Sequence, residues 1–263
     1  MKNIFKMVSL LVLVLFSFFY TDRVMNFINK KDPLMNKIDL LKDKYEILPV
    51  NAVLDSNTII PGVKGKSVDL DKSYENMKVS GIFREDYLVY KDILPSEMLS
   101  NNMDKYIIGG NTSSNRVSLL VITNYDNIDK INNNNITIFL NHKDVSINNI
   151  KKINKNSIYT YGNNGIYSEE ILDNDNTIIN RISKNKSIYC LSMEKNNDTL
   201  SICNKKKMYV VIPSIVGDYL DIKNNLTNGS IILLNDMNNL DIIVKYINSK
   251  GYMIVPLEEL LTE

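Results

Sequence analysis

The stretch from Thr227 to Leu261, TNGSIILLNDMNNLDIIVKYINSKGYMIVPLEELL, constrains the fold of this chain more than any other. It opens on an Asn228-Gly229 turn and runs into an apolar strand, Ser230 to Leu234. A polar pair, Asn235-Asp236, precedes an amphipathic helix to about Lys250. Gly251 supplies the residue type that ends helices in a left-handed conformation. A second strand, Tyr252 to Val255, leads through Pro256 into a short final helix. Strand and helix alternating through tight joints is the pattern of a parallel α/β sheet. Such folds place their chemistry at the C-terminal ends of strands, and that is where Asn235 and Asp236 stand.

The same alternation extends upstream to about residue 115. Apolar strand-like runs recur at Val117 to Thr123, Ile136 to Leu140, Ser157 to Thr160, Ser187 to Leu191 and Met208 to Pro213. With the two C-terminal strands they make about seven βα units. Helices are expected between them at Asp126 to Asn132, Ser146 to Ile153, Ser168 to Ile182, Asn197 to Lys205 and Asp218 to Asn225. Right-handed crossovers of this length close into a (β/α) barrel, with an open doubly wound sheet as the alternative. Asn124-Tyr125-Asp126-Asn127 follows the first of these strands where a nucleotide-binding fold has a Gly-rich loop, which argues against nucleotide chemistry.

The rest of the chain divides by texture. Lys2 and Lys6 precede an apolar run from Met7 to Tyr20, closed by Thr21, Asp22 and Arg23. No small-residue cleavage site follows it, so residues 1–21 are expected to be an uncleaved signal anchor rather than a cleaved peptide. That predicts a single-pass protein of the cell membrane with its C-terminal domain extracytoplasmic. Residues 22–44 are polar, with a late amphipathic pattern at Ile38, Leu40 and Leu41, and read as a stalk. Residues 45–114 hold Pro49, Pro61-Gly62, Gly65, Gly81 and Pro95 and read as a small α+β module. Its one helical stretch, Asp69 to Lys78, has Asp69 or Asp71 as its cap. Residues 115–263 form the main domain.

Composition narrows the function. A net charge of +1 gives no footprint for nucleic acid. His142 is the only histidine. Imidazole is the usual metal ligand and proton carrier, so metal chemistry here would lean on carboxylates.

From Arg116 onward the order and joints of the units resemble the polysaccharide deacetylase family, in which the closing units read like P-G-S-I-I-L-L-H-D, a helix ending in S-K-G-Y, and a Leu-Glu-rich helix. Here these are Asn228-Gly229-Ser230-Ile231-Ile232-Leu233-Leu234-Asn235-Asp236, Ser249-Lys250-Gly251-Tyr252 and Leu257-Glu258-Glu259-Leu260-Leu261. Ile60-Pro61-Gly62 and Gly109-Gly110-Asn111 resemble a lead-in found in membrane-anchored relatives. The resemblance implies a distorted (β/α) barrel of about seven parallel strands and metal-assisted removal of an acetyl group from a sugar.

That chemistry needs an acid pair after the first strand, a His-x-x-x-His pair after the third and a His after the sixth. The metal, zinc or a similar divalent ion, polarises the carbonyl and acidifies a water while a base and an acid move protons. At the acid-pair positions this chain has Ile122-Thr123, or Thr123-Asn124 with a slip, and Asp126 is the only acid nearby. After the third strand stands Tyr159-Thr160-Tyr161-Gly162, with no His. Asn235 occupies the position of the last His, and an amide donates no proton at neutral pH. Asp236 persists, a residue that more often caps the next helix. His142 matches no motif position and reads as a lone loop residue.

No catalytic residue, metal ligand or cofactor is therefore expected. The resemblance leaves a deacetylase-like protein without hydrolase activity, able to bind a cell-wall or envelope glycan. The alternative is an active N- or O-deacetylase with a rearranged site built on Asp126 and Asp236. Tyr159, Tyr161 and Tyr167 near the expected barrel mouth either stack on sugar rings or pack in the interior. Cys190 and Cys203 either form a disulfide, closing a loop worth roughly 3 kcal/mol, or remain two buried thiols.

Overall fold

The computed structural model describes residues 2–29, 31–131, 135–145, 157–183 and 186–263. Two compact units emerge, one from residues 1–49 and 65–93, the other from residues 50–64 and 94–263. Elements are numbered along the chain.

The first unit holds helices α1 (Lys2–Asn29), α2 (Pro33–Leu41) and α3 (Leu70–Met77), and the antiparallel strands β3 (Gly65–Val68) and β4 (Tyr90–Ile93). Pro33 opens α2 where its missing N–H is no loss, and the Asp32 carboxylate accepts from Leu34 N at 2.7 Å. Asp69 caps α3, accepting from Lys72 N at 3.1 Å. The apolar positions of α2 are core positions: Leu34, Met35 and Ile38 are buried against Val68, Tyr74, Met77 and Leu88, whereas Leu40 is exposed.

Helix α1 runs 28 residues. Among the described residues, however, no helix is long and apolar enough to cross a membrane. The single-pass anchor expected over residues 1–21, and the membrane placement built on it, are corrected accordingly. The physical reason is length: the apolar run from Met7 to Tyr20 covers about 21 Å at 1.5 Å per residue, against a hydrocarbon core of about 30 Å.

The second unit is built on an eleven-stranded sheet. Its strands are β1 (Val53–Leu54), β2 (Thr58–Ile60), β5 (Tyr106–Ile107), β6 (Arg116–Thr123), β7 (Ile136–Leu140), β8 (Ile158–Thr160), β9 (Tyr189–Leu191), β10 (Tyr209–Val211), β11 (Ile215–Gly217), β12 (Ile231–Leu234) and β13 (Met253–Ile254). The order is β1-β2-β5-β10-β9-β8-β7-β6-β12-β11, with β13 also paired to β6. Every pair is parallel except β1–β2. The path is open, so the α/β sheet is a curled half-barrel where the sequence pattern suggested a closed ring.

The seven strands read from the sequence are all present within two residues of their expected ends. β1, β2, β5 and β11 add to them. Helices α4 (Glu169–Ile182), α5 (Asn197–Lys205), α6 (Tyr219–Asn225), α7 (Leu240–Ser249) and α8 (Leu257–Leu260) complete the unit. The helix expected over Asp126 to Asn132 is a 3-10 run, Tyr125–Lys130. The one expected over Ser146 to Ile153 lies outside the described residues.

Strands buried on both faces read as continuous apolar runs, and β6, RVSLLVIT, is such a strand. Its alternating side chains serve two cores. Leu119 and Val121 join Ile138, Leu140, Ile232 and Leu234 under Ile178, Ile179 and Ile182 of α4, Ile222 of α6, and Ile243 and Ile247 of α7. Leu120 joins the opposite, inner face with Phe139, Tyr159, Tyr189, Leu191, Val211 and Leu233. Leu257 and Leu260 of α8 and the following Leu261 pack on that inner face, so the C-terminal helix fills it.

Candidate functional site

The C-terminal rim of the sheet is where this fold class holds chemistry. Register places Ile122 opposite Phe139 and Thr123 opposite Leu140. Leu234 lies opposite Val121, so Asn235 leaves β12 at the level of Ile122. Ile122 and Tyr161, both partly buried, pack against the inner cluster. Thr123 alternates to the helix-covered face and is buried. Asp126 is exposed in the 3-10 run after β6. Asn235 is exposed, and its backbone N donates to Gly217 O at 3.2 Å. Asp236 is exposed and accepts from Asn238 N at 2.8 Å, so it shapes the turn before α7, while Asn239 stands at the helix cap.

The rim therefore combines an alkyl side chain, a phenol and an amide at Ile122, Tyr161 and Asn235. Among the described residues, no group of three or more His, Cys, Asp or Glu side chains is placed to hold a metal ion. Divalent ions of the kind the resemblance implies take imidazole and carboxylate ligands. The side chains at these positions do not fit such an ion.

The three tyrosines expected at the mouth part company. Tyr159 is buried and its hydroxyl donates to Glu258 Oε2 at 3.0 Å. It belongs to a row of rings across four neighbouring strands. Phe139–Tyr159, Tyr159–Tyr189 and Tyr189–Tyr209 have centroids 5.7, 5.1 and 6.0 Å apart, the middle pair edge to face. Same-face cross-strand aromatic pairs of this kind are packing contacts. Burial, and then the nearby Glu258 carboxylate, push the Tyr159 and Tyr189 phenols far above their ordinary range. Tyr167 is buried, and its hydroxyl donates to Leu191 O at 2.7 Å. Tyr159 and Tyr167 are interior residues, and Tyr161 alone of the three is left partly exposed.

His142 is not the lone loop residue that its sequence context suggests. Its Nδ1 lies 2.6 Å from Oδ1 of Asp175, a fully buried carboxylate on α4. Oδ2 of Asp175 accepts from Thr160 Oγ1 at 2.6 Å. The signal was present: Leu172, Asp175, Ile178, Ile179 and Ile182 form one stripe of α4, so an acid interrupts an otherwise apolar face.

Cys190 of β9 and Cys203 of α5 are joined by a disulfide, with Cα atoms 6.6 Å apart. Both are fully buried beside Tyr106, Tyr167, Leu172, Met208 and Val210.

No protein-family model matches this chain. Its fold is shared with carbohydrate esterase family 4 (CE4) proteins. The structure of BA3943, a CE4 family pseudoenzyme from Bacillus anthracis, aligns over 89% of this chain and 96% of its own, with a TM-score of 0.61 and 19% identity. A BA3943 mutant described as having restored enzymatic activity aligns over 88% of this chain and 99% of its own, with a TM-score of 0.61 and 20% identity.

In sequence, a 92-residue stretch is 37% identical to the uncharacterized protein YlxY of Bacillus subtilis (strain 168). That stretch is 35% of this chain and spans only 29% of YlxY.

Proposed function

We propose that this chain is a polysaccharide deacetylase-like protein that lacks hydrolase activity and binds a cell-envelope glycan at the rim of its sheet. The observation that carries the reading is the rim itself, where Ile122, Tyr161 and Asn235 stand in place of acids and imidazoles. Hydrolysis of an acetyl group needs a base and an acid that exchange protons near neutral pH. An alkyl group and an amide do neither, and burial raises the Tyr161 phenol further above that range. Tyr161 is partly exposed, and an exposed aromatic face suits a sugar ring. The shared fold of a protein described as a pseudoenzyme supports the reading. No metal or cofactor is part of the proposal. Asp126 and Asp236 sit in the loops after β6 and β12, both exposed to solvent.

The test is an assay of the purified chain on N- and O-acetylated glycan oligomers with added zinc, cobalt or nickel, run beside a binding titration with the same oligomers. No acetate release, with saturable binding weakened by Tyr161→Ala, is the expected result. Metal-dependent turnover abolished by Asp236→Ala refutes the reading and restores the active alternative.

A further inference from the structure

The carboxylate of Asp175 closes a ring of hydrogen bonds around one loop. His142 N donates to Gly162 O at 2.6 Å. Gly162 N donates to Thr160 Oγ1 at 2.8 Å. The Thr160 hydroxyl in turn donates to Asp175 Oδ2, and Asp175 Oδ1 meets His142 Nδ1, both at 2.6 Å. Both backbone groups of Gly162 are thus held, by Thr160 at the end of β8 and by His142 in the turn after β7, and Asp175 of α4 bridges the side chains of those two residues.

The loop so held, Tyr161 to Ile166, turns tightly through three left-handed residues. Gly162, Asn164 and Gly165 have φ of 58°, 56° and 80°. The two glycines take that region without steric cost, whereas Asn164 is a non-glycine held there. A Cβ on Gly162 would meet Ile166 O at 2.6 Å and the Tyr167 ring at 2.9 Å, so only glycine fits. Asn163 and Ile166 exchange hydrogen bonds of 2.9 and 3.2 Å, and Gly165 N donates to Tyr161 O at 2.8 Å. A Cβ on Gly165 would lie 3.3 Å from the Tyr161 ring, so the loop turns back against that ring.

We propose that His142 and Asp175 are positioning residues that latch this loop and so fix Tyr161 at the rim. A buried carboxylate is strongly unfavourable when its oxygens are left unpaired, and even when paired it is often no more stabilising than an apolar side chain of similar size. At position 175 the stripe of α4 would accept such an apolar side chain. The acid is there because it has two partners to hold, one from β8 and one from the turn after β7. The contribution of the latch to glycan binding rests on the functional reading above, whereas the fixing of the loop does not.

Hydrogen–deuterium exchange on the full chain tests the latch, with His142→Ala, Asp175→Ala, Thr160→Val and His142→Asn as variants. The Asn amide offers an N–H where imidazole offers Nδ1–H. We expect exchange in residues 158–167 to accelerate roughly tenfold or more in His142→Ala and Thr160→Val, the scale of one lost hydrogen bond to a charged group. We expect peptides over β12 and α7 to keep their rates and His142→Asn to recover most of the protection. Unchanged loop exchange overturns the proposal. So does acceleration spread evenly over the sheet, or a His142→Asn variant no better than His142→Ala. Thr160→Val keeps the side-chain shape and decides the matter if Asp175→Ala fails to fold. Glycan affinity of His142→Ala should fall with the loss of protection, and unchanged affinity beside an accelerated loop refutes the link to Tyr161. A wild-type chain that binds no glycan removes the functional reading, and the exchange pattern alone then decides the latch.

Discussion

Reducing the Cys190–Cys203 bridge is the perturbation whose size follows most directly from the structure. The cysteines are 13 residues apart in sequence and join β9 to the helix that follows it. Both are fully buried, so the two thiols stay within the same packed cluster, set slightly farther apart because non-bonded sulfurs cannot approach to bond distance. What changes is the unfolded chain, which regains the freedom of a loop of about 14 residues. The chain-entropy relation puts that at about 3 kcal/mol at 25 °C. For a unit of this size, 1 kcal/mol moves the melting midpoint by about 2–4 °C, so reduction should lower it by about 6–12 °C. Circular dichroism melts at equal protein concentration, with and without reductant throughout, measure the shift on the transition of the larger unit. Thiol titration in denaturant should find no free thiol before reduction and two after it. Coincident melts of the oxidised and reduced protein would refute the entropic argument, and two free thiols before reduction would remove its premise.

Three smaller perturbations follow from named contacts. Tyr159→Phe withdraws the hydroxyl donated to Glu258 Oε2 and should cost about 1–3 kcal/mol, read as a lower denaturant midpoint at constant m-value. Gly162→Ala sets a Cβ against Ile166 O in a left-handed residue and should destabilise the larger unit by about 1–3 kcal/mol, again by denaturant titration. Asp218 and Asp221 form a capping box at the start of α6, with Asp218 accepting from Leu220 N at 2.8 Å and Asp221 from Asp218 N at 2.9 Å. Asp218→Ala should cost about 1 kcal/mol in the same experiment.

How far the sequence reaches differs from one part of the molecule to the next. The strands read from the sequence were legible because a strand buried on both faces needs a continuous apolar run, and β6, β7 and β12 carry one. β11 was not legible, because Pro213 and Ser214 break the apolar run before it and Gly217 and Asp218 end it after Ile215 and Val216. β1, β2 and β5 have two or three residues each, and the attachment of β5 to β10 depends on a pairing between residues far apart in the chain. At the site, the positions of Ile122, Tyr161 and Asn235 at the rim follow from strand ends, which the pattern locates well. The partner of His142 does not, because Asp175 lies 33 residues away within the polar-looking run Asp173-Asn174-Asp175-Asn176. Only its spacing from Leu172 and Ile178 marks it as inward-facing. The N-terminal helix misled for a different reason: α1 is long, but its apolar part is too short to span a bilayer.

The inner face of the sheet also fixes an order of events during synthesis. Glu263 accepts from Gly62 N at 3.0 Å across 201 residues of chain and from Leu99 N at 2.7 Å, while Glu258 anchors Tyr159 and Leu257 and Leu260 cover the face. At about 5–20 residues per second a ribosome needs roughly 10–40 s to travel from the first of these partners to the last. Until then the aromatic row lies uncovered in a nascent chain. The interior can be completed only by a late event, and the half-finished sheet is the species that a chaperone would meet.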